Sequence, residues 1–249
     1  RPLNSLRFTT SFMGSATRSD GDEEQQNGTG INAMVEYGSR KIETWLSFER
    51  YDKEFQMDTA FLMQTAVSRT QLFVGPNHYF DSNVLRRLQP YFRYLNQEDL
   101  YTGLDDQERA YGLTLYTTRN GFFRYQFRDD REHWAGMTFK EQFSFFFAQI
   151  QVFNWLFVSG SYRVGDRIYY HPVSPVCGDG KELDLNLMFQ PSDELALDFE
   201  YIHQVLDRPG ELGGENLYDI GILNFRTTYQ FNRYFFIRAA LRYNGYDRR

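Results

Sequence analysis

Apolar and polar residues alternate with a period of two through most of this chain, and few folds can use that pattern at such length. Leu195, Leu197, Phe199 and Tyr201 point one way, with Ala196, Asp198 and Glu200 between them. Phe235, Ile237, Ala239, Leu241 and Tyr243 alternate with Arg238, Ala240 and Arg242 in the same manner. So do Phe123, Tyr125 and Phe127 against Arg124, Gln126 and Arg128, and Leu88, Pro90, Phe92 and Tyr94 against Gln89, Tyr91 and Arg93. Leu183, Leu185, Leu187 and Phe189 alternate with Asp184, Asn186 and Met188. Side chains of a strand point to opposite faces in turn, so each run is a strand with one greasy and one polar side. A slip of one residue would exchange the two sides, which fixes the register.

Aromatic residues make up 18% of the chain, and they favour strands because their rings pack against cross-strand neighbours. Mean hydropathy is nevertheless only −0.59, and no run approaches the roughly 18 consecutive apolar residues a spanning helix needs. A β-barrel in a membrane escapes that requirement, since only alternate residues touch lipid. The net charge of −6 gives no basic face for nucleic acid, so no nucleic-acid partner is expected. The single cysteine, Cys177, excludes an intrachain disulfide and a cysteine-rich zinc site. Beginning at Arg1 without an initiator Met or signal peptide fits a mature or truncated exported protein.

Short and long connections alternate. The short ones are Tyr37-Gly38-Ser39-Arg40, Asp81-Ser82-Asn83, Arg119-Asn120-Gly121, Phe153-Asn154-Trp155, Gln190-Pro191-Ser192-Asp193 and Phe231-Asn232-Arg233. Asn-Gly is the strongest short hairpin signal, because both residues tolerate positive φ. Long polar stretches at 14–30, 52–68, 97–107, 129–141, 170–181 and 207–217 read as loops. Strands are then expected at 3–13, 31–37, 41–51, 69–80, 87–97, 108–118, 121–131, 142–153, 155–169, 182–190, 194–206, 218–231 and 233–246. Tight turns at one rim and long loops at the other are the plan of outer-membrane barrels. The expected fold is one all-β domain over 1–249, an antiparallel up-and-down transmembrane β-barrel. About 13 strands are visible, and an even number is usual, so at least 14 are expected when complete.

The segments 183–201 and 228–244 resemble the barrel region of the DUF5916 family. The most specific part is the turn Tyr229-Gln230-Phe231-Asn232-Arg233, followed by Phe236-Ile237-Arg238 and Arg242-Tyr243-Asn244. Residues 51–69, with Phe55 and Phe61, match the family's first long loop more loosely. The resemblance implies an outer-membrane protein of Bacteroidota and relatives. Such proteins usually carry an N-terminal carbohydrate-binding domain of family-9 type, and the resemblance here covers the barrel region alone. It implies a location and a shape, not a reaction.

Charged residues on the inward side are the first functional candidates: Arg93, Arg124, Arg128, Arg163, Arg226, Arg238 and Arg242, with Asp184, Asp198 and Glu200. They could line a pore that prefers anionic solutes. They could equally form an internal ladder in which arginines pair with those acids, and the cost of burying unpaired charge favours the ladder. Tyr37, Trp45, Phe80, Trp155, Tyr169, Tyr218 and Tyr234 lie near strand ends and fit interfacial girdles, where amphipathic rings prefer headgroup depth.

The four histidines (78, 133, 171 and 203) have no metal-like spacing, and no metal or other cofactor is expected. Ser159 and Ser161 with His203 could act as a lipase-like nucleophile and base, although the Gly-x-Ser-x-Gly elbow is missing. The acidic residues Asp20, Asp22, Glu23 and Glu24 lack the ligand spacing of a calcium loop. The sequence thus reads as a non-enzymatic outer-membrane channel or scaffold. Its partners would be outer-membrane lipids and lipopolysaccharide, with other envelope proteins or glycans as further candidates. A glycan- or protein-binding receptor with a plugged lumen and a barrel hydrolase are the alternatives.

Overall fold

The computed structural model describes residues 4–17, 26–56, 64–209 and 215–247, and they form an all-β antiparallel sheet of 14 strands. In chain order these are β1 (Asn4–Thr17), β2 (Gln26–Ser39), β3 (Ile42–Tyr51), β4 (Val67–Pro76), β5 (His78–Tyr79), β6 (Leu85–Asp99) and β7 (Asp105–Thr117). There follow β8 (Phe122–Trp134), β9 (Met137–Phe153), β10 (Leu156–Tyr169), β11 (Val176–Phe189), β12 (Leu195–Asp207), β13 (Asn216–Gln230) and β14 (Phe236–Asp247). Each strand pairs with the next from β1 to β14, except that the two-residue β5 pairs with β6 off this path. The strands on the path run from 10 to 17 residues. That is well beyond the 5–6 usual in soluble sheets.

Two compact units make up the chain. One comprises residues 1–77, 90–111 and 130–138; the other comprises 78–89, 112–129 and 139–249. In the first unit the register aligns Leu6, Tyr37 and Thr44 on one face, and Phe8, Val35, Leu46 and Leu72 in the next row of it. In the second unit Val158, Leu187, Phe199, Phe225 and Leu241 form one such row, and Gly160, Leu185, Tyr201, Leu223 and Tyr243 the next. The opposite faces carry the polar alternates, for example Ser159, Asn186 and Glu200 in one row and Arg163, Glu182 and Gln204 in another.

Burial is distributed in an unusual way. Few apolar side chains are buried among the described residues: Phe55, Ala66, Val67, Ala110, Phe143, Ile168 and Leu206. Meanwhile the apolar faces stand open even on interior strands, with Leu46 48%, Tyr111 50%, Phe146 45% and Leu185 39% exposed. A sheet folded for water would bury such a face against a second layer.

Three expectations about the connections change. The stretch 129–141 is no loop, because β8 and β9 meet at a two-residue turn, with Ala135 and Gly136 at φ 50° and 78°. The stretches 14–30, 52–68, 97–107, 170–181 and 207–217 likewise shrink, since β1, β2, β4, β6, β7, β11, β12 and β13 run into them. In these outer parts of the strands both faces are polar, so the alternation that marks a strand disappears. In the β7–β8 turn the left-handed pair is Arg119 (φ 57°) and Asn120 (φ 54°), not Asn120 and Gly121. Gly121 is needed for another reason: a Cβ there would meet Thr117 Oγ1 at 1.8 Å. The strand expected over 69–80 also breaks at Pro76, after which His78 and Tyr79 pair with Leu88 and Arg87.

Candidate functional site

The chemistry lies on the polar faces. In the second unit the densest part joins β8, β9, β10 and β11. Arg163 reaches Glu141 with Nη2 3.4 Å from Oε1, and its guanidinium carbon sits 3.8 Å from the centroid of Phe143. Arg128 approaches the same ring at 5.4 Å. Glu141 is buried, and Oε1 also accepts the Ile168 N–H at 3.0 Å. One strand further, Arg167 pairs with Glu182 at 2.5 Å, and Glu182 accepts the Gln204 amide at 2.8 Å. Cations stacked on rings and held by carboxylates form a connected network, in which each member fixes its neighbour.

All ten charged residues expected to face inward lie on a polar face. Arg93 donates to Glu108 at 2.7 Å in the first unit. In the second, Arg124 lies over Phe122 at 5.0 Å, and Arg226 is directly opposite Asp198. Asp184 accepts from Asn186 at 2.6 Å, and Glu200 from Asn224 at 2.5 Å. Arg238 donates to Thr228 at 3.3 Å and Arg242 to Asn244 at 3.2 Å. The expected partners need correction: Arg93 and Arg163 pair with Glu108 and Glu141, not with Asp184, Asp198 or Glu200. Glu108, Glu141, Arg167 and Glu182 were missed, as was the Arg69–Glu49 ion pair, in which Gln97 takes Arg69 Nε at 2.8 Å. Glu141 falls at the end of the polar stretch 129–141, which has the composition of a loop. Extending the alternation outward from Phe143 and Phe145 would have placed it on the strand.

The aromatic girdle also needs revision. Tyr37 lies on the apolar face near the β2–β3 turn, in the row of Leu6 and Thr44. Trp155 occupies the β9–β10 turn, stacked on Phe153 at 4.7 Å and edge-on to Phe189 at 5.2 Å. Tyr234 stands exposed in the β13–β14 turn, and Phe80 follows β5 against His78. Trp45, Tyr169 and Tyr218, by contrast, lie on polar faces. Trp45 pairs with Glu36 and stacks on Phe73 at 5.9 Å, while Phe73 stacks on Tyr91 at 5.7 Å. Tyr169 is paired with Val176 and Tyr218 with Leu206, and their rings are 6.4 Å apart. A strand-end position alone does not say which face a ring takes; parity does. The group around Tyr229, Phe231 and Phe235, with centroids 4.7 and 5.1 Å apart, was not singled out.

The serine hydrolase arrangement is overturned by the register. Ser159 and Ser161 lie on the polar face opposite Asn186 and Asp184. His203 is paired with Leu183 on the other face, where Nε2 meets Asp219 Oδ1 at 2.8 Å. The sheet itself separates nucleophile from base. His133 Nδ1 contacts Asp106 at 3.1 Å, and His171 Nδ1 accepts the Ser174 N–H at 3.1 Å. Among the described residues no group of three or more His, Cys, Asp or Glu is placed to hold a metal ion. The acidic residues 20–24, and Phe61, lie outside the described residues.

No family model and no curated protein matches the chain. Solved structures do align with it. OmpT, an outer membrane protein of Vibrio cholerae, is 8% identical over 99% of this chain and 88% of its own, with a TM-score of 0.41. Salmonella typhi OmpF, in a complex with daunomycin, is 11% identical over 99% of this chain and 91% of its own, also with a TM-score of 0.41.

Proposed function

We propose that this chain forms the wall of an outer-membrane β-barrel, with its apolar faces against lipid and its polar faces lining a passage for small polar solutes. The observation that carries this reading is the inverted burial. Large apolar side chains on interior strands, such as Leu46, Tyr111 and Phe146, are exposed, while Glu141 is buried. In water that arrangement would expose far more contiguous apolar surface than a soluble protein tolerates. In a bilayer it becomes the favourable one. Strands of 10–17 residues match or exceed the roughly 9–11 that a tilted crossing needs. Closure of the sheet is part of the proposal, because an open edge in hydrocarbon leaves backbone groups unpaired. The turn-side aromatics Trp155, Phe153 and Phe189 would sit at one headgroup layer. Resemblance to DUF5916 barrels over 228–244 supports the same location.

The test is reconstitution of the purified protein in planar bilayers. Discrete, voltage-independent conductance steps are expected of a channel. A refolded, membrane-inserted protein without conductance would leave the scaffold or receptor role instead.

A further inference from the structure

Residues 52–56, which follow β3, fold back over the polar face of β1 and β2. Gly28 and Gly30 occupy that face, opposite Ser15 and Met13 and alternating with the apolar-face residue Ile31. A Cβ on Gly28 would lie 2.2 Å from Phe55 Cα, and one on Gly30 would lie 3.3 Å from the tip of the Phe55 ring. Phe55 is 1% exposed, and its ring is 5.5 Å from that of Tyr51. Hydrogen bonds tie the backbone on both sides: Asp52 N–H to Thr29 O at 2.9 Å, and Gln56 N–H to Ser15 Oγ at 3.0 Å. A third tie reaches the β6–β7 turn, where Tyr101 donates its hydroxyl to Lys53 O at 3.3 Å.

We propose that Asp52–Gln56 is a fixed strap across the polar face, anchored by Phe55 on Gly28, that narrows the passage and sets the size limit of its solutes. This rests on the channel reading. Two features argue for a built device over a casual loop contact. Phe55 is the most deeply buried ring among the described residues, although it belongs to no strand. Gly28, costly within a strand, stands where only glycine lets the strap's backbone approach, and Gly30 leaves room for the Tyr51 and Phe55 rings.

Two variants test it. Gly28→Val keeps a good strand residue in the wall but drives a side chain into the Phe55 backbone. Phe55→Ala removes the anchor and leaves the wall untouched. Amide hydrogen exchange at Phe55 and Gln56 reports the strap alone, and liposome swelling with sugars graded from a pentose to a tetrasaccharide reports the passage. The expected result is slow exchange at both amides in the unaltered protein, loss of that protection in both variants, and admission of larger sugars. An impermeable unaltered protein with permeable variants would also support it. Fast exchange in the unaltered protein, or lost protection with an unchanged sugar limit, overturns the strap while leaving the channel standing. No swelling in any of the three proteins overturns the channel reading and the strap with it.

Discussion

The carboxylate of Glu141 is the counter-charge of Arg163: Oε1 lies 3.4 Å from Nη2 while also accepting the Ile168 N–H at 3.0 Å. Their side chains are only 8% and 23% exposed, so neither is well solvated. Glu141→Ala would leave a half-buried guanidinium without its partner and a backbone N–H unpaired. A loss of about 2–4 kcal/mol is expected in denaturant unfolding from vesicles. Removing both partners in Glu141→Ala/Arg163→Ala should recover part of it. A loss near zero in the single variant would show that the pair contributes no more than an exposed one.

Leu185 and Asn186 are neighbours on β11 that point to opposite faces, in rows with Tyr201 and Glu200. Leu185→Arg should cost roughly 2–4 kcal/mol on folding into a bilayer, as for a charge at the midplane of a barrel's lipid face. Asn186→Arg should cost far less, since the new guanidinium faces Glu200 and Asp184. Equal costs would mean the two faces meet the same medium.

Ala135 holds φ 50° in the β8–β9 turn, a conformation that strains any residue with a Cβ. Ala135→Gly should therefore stabilise the protein by about 1 kcal/mol, measured as a rise in the unfolding midpoint. A lower midpoint would contradict the left-handed assignment.

The Asp52 carboxylate is held below the usual carboxylate range, chiefly because it accepts the Thr29 hydroxyl and in lesser part because Arg50 is near. A depressed folded-state value means that the contribution is complete above the ordinary value of 3.8 and is lost as pH falls through the lower folded one. The Asp52–Thr29 contact should thus persist at neutral pH and through pH 4. Thr29→Val should move the protonation midpoint of Asp52, followed by carbon-13 NMR, upward toward 3.8. An unchanged midpoint would remove Thr29 as the cause.

The fold was legible wherever one face was apolar and the other polar, as along Leu183–Phe189 and Leu195–Tyr201. Each such run became a strand with its faces as read. Legibility failed above the apolar belt. Around Asp129 to Glu141 both faces are largely polar, so the strand looked like a loop, and the ion-pair partner Glu141 was hidden with it. Glu182 opens the strand expected over 182–190 but stands just outside the alternating run that begins at Leu183. Trp45 failed differently. Its strand-end position suggested a headgroup ring, but its parity with Ser47 and Glu49, against Leu46 and Phe48, already placed it on the polar face. The Phe55–Gly28 contact carries no period at all, because a chain segment folding back on a strand depends on tertiary packing alone.

On the proposed barrel reading, alternate residues along each strand meet lipid and water. A nitroxide scan along residues 182–189, in a Cys177→Ala background in vesicles, tests it most directly. Collision with dissolved oxygen should dominate at Leu183, Leu185 and Leu187, and collision with a water-soluble nickel chelate at Glu182, Asp184 and Asn186. Accessibility to the two reagents without alternation would contradict the account.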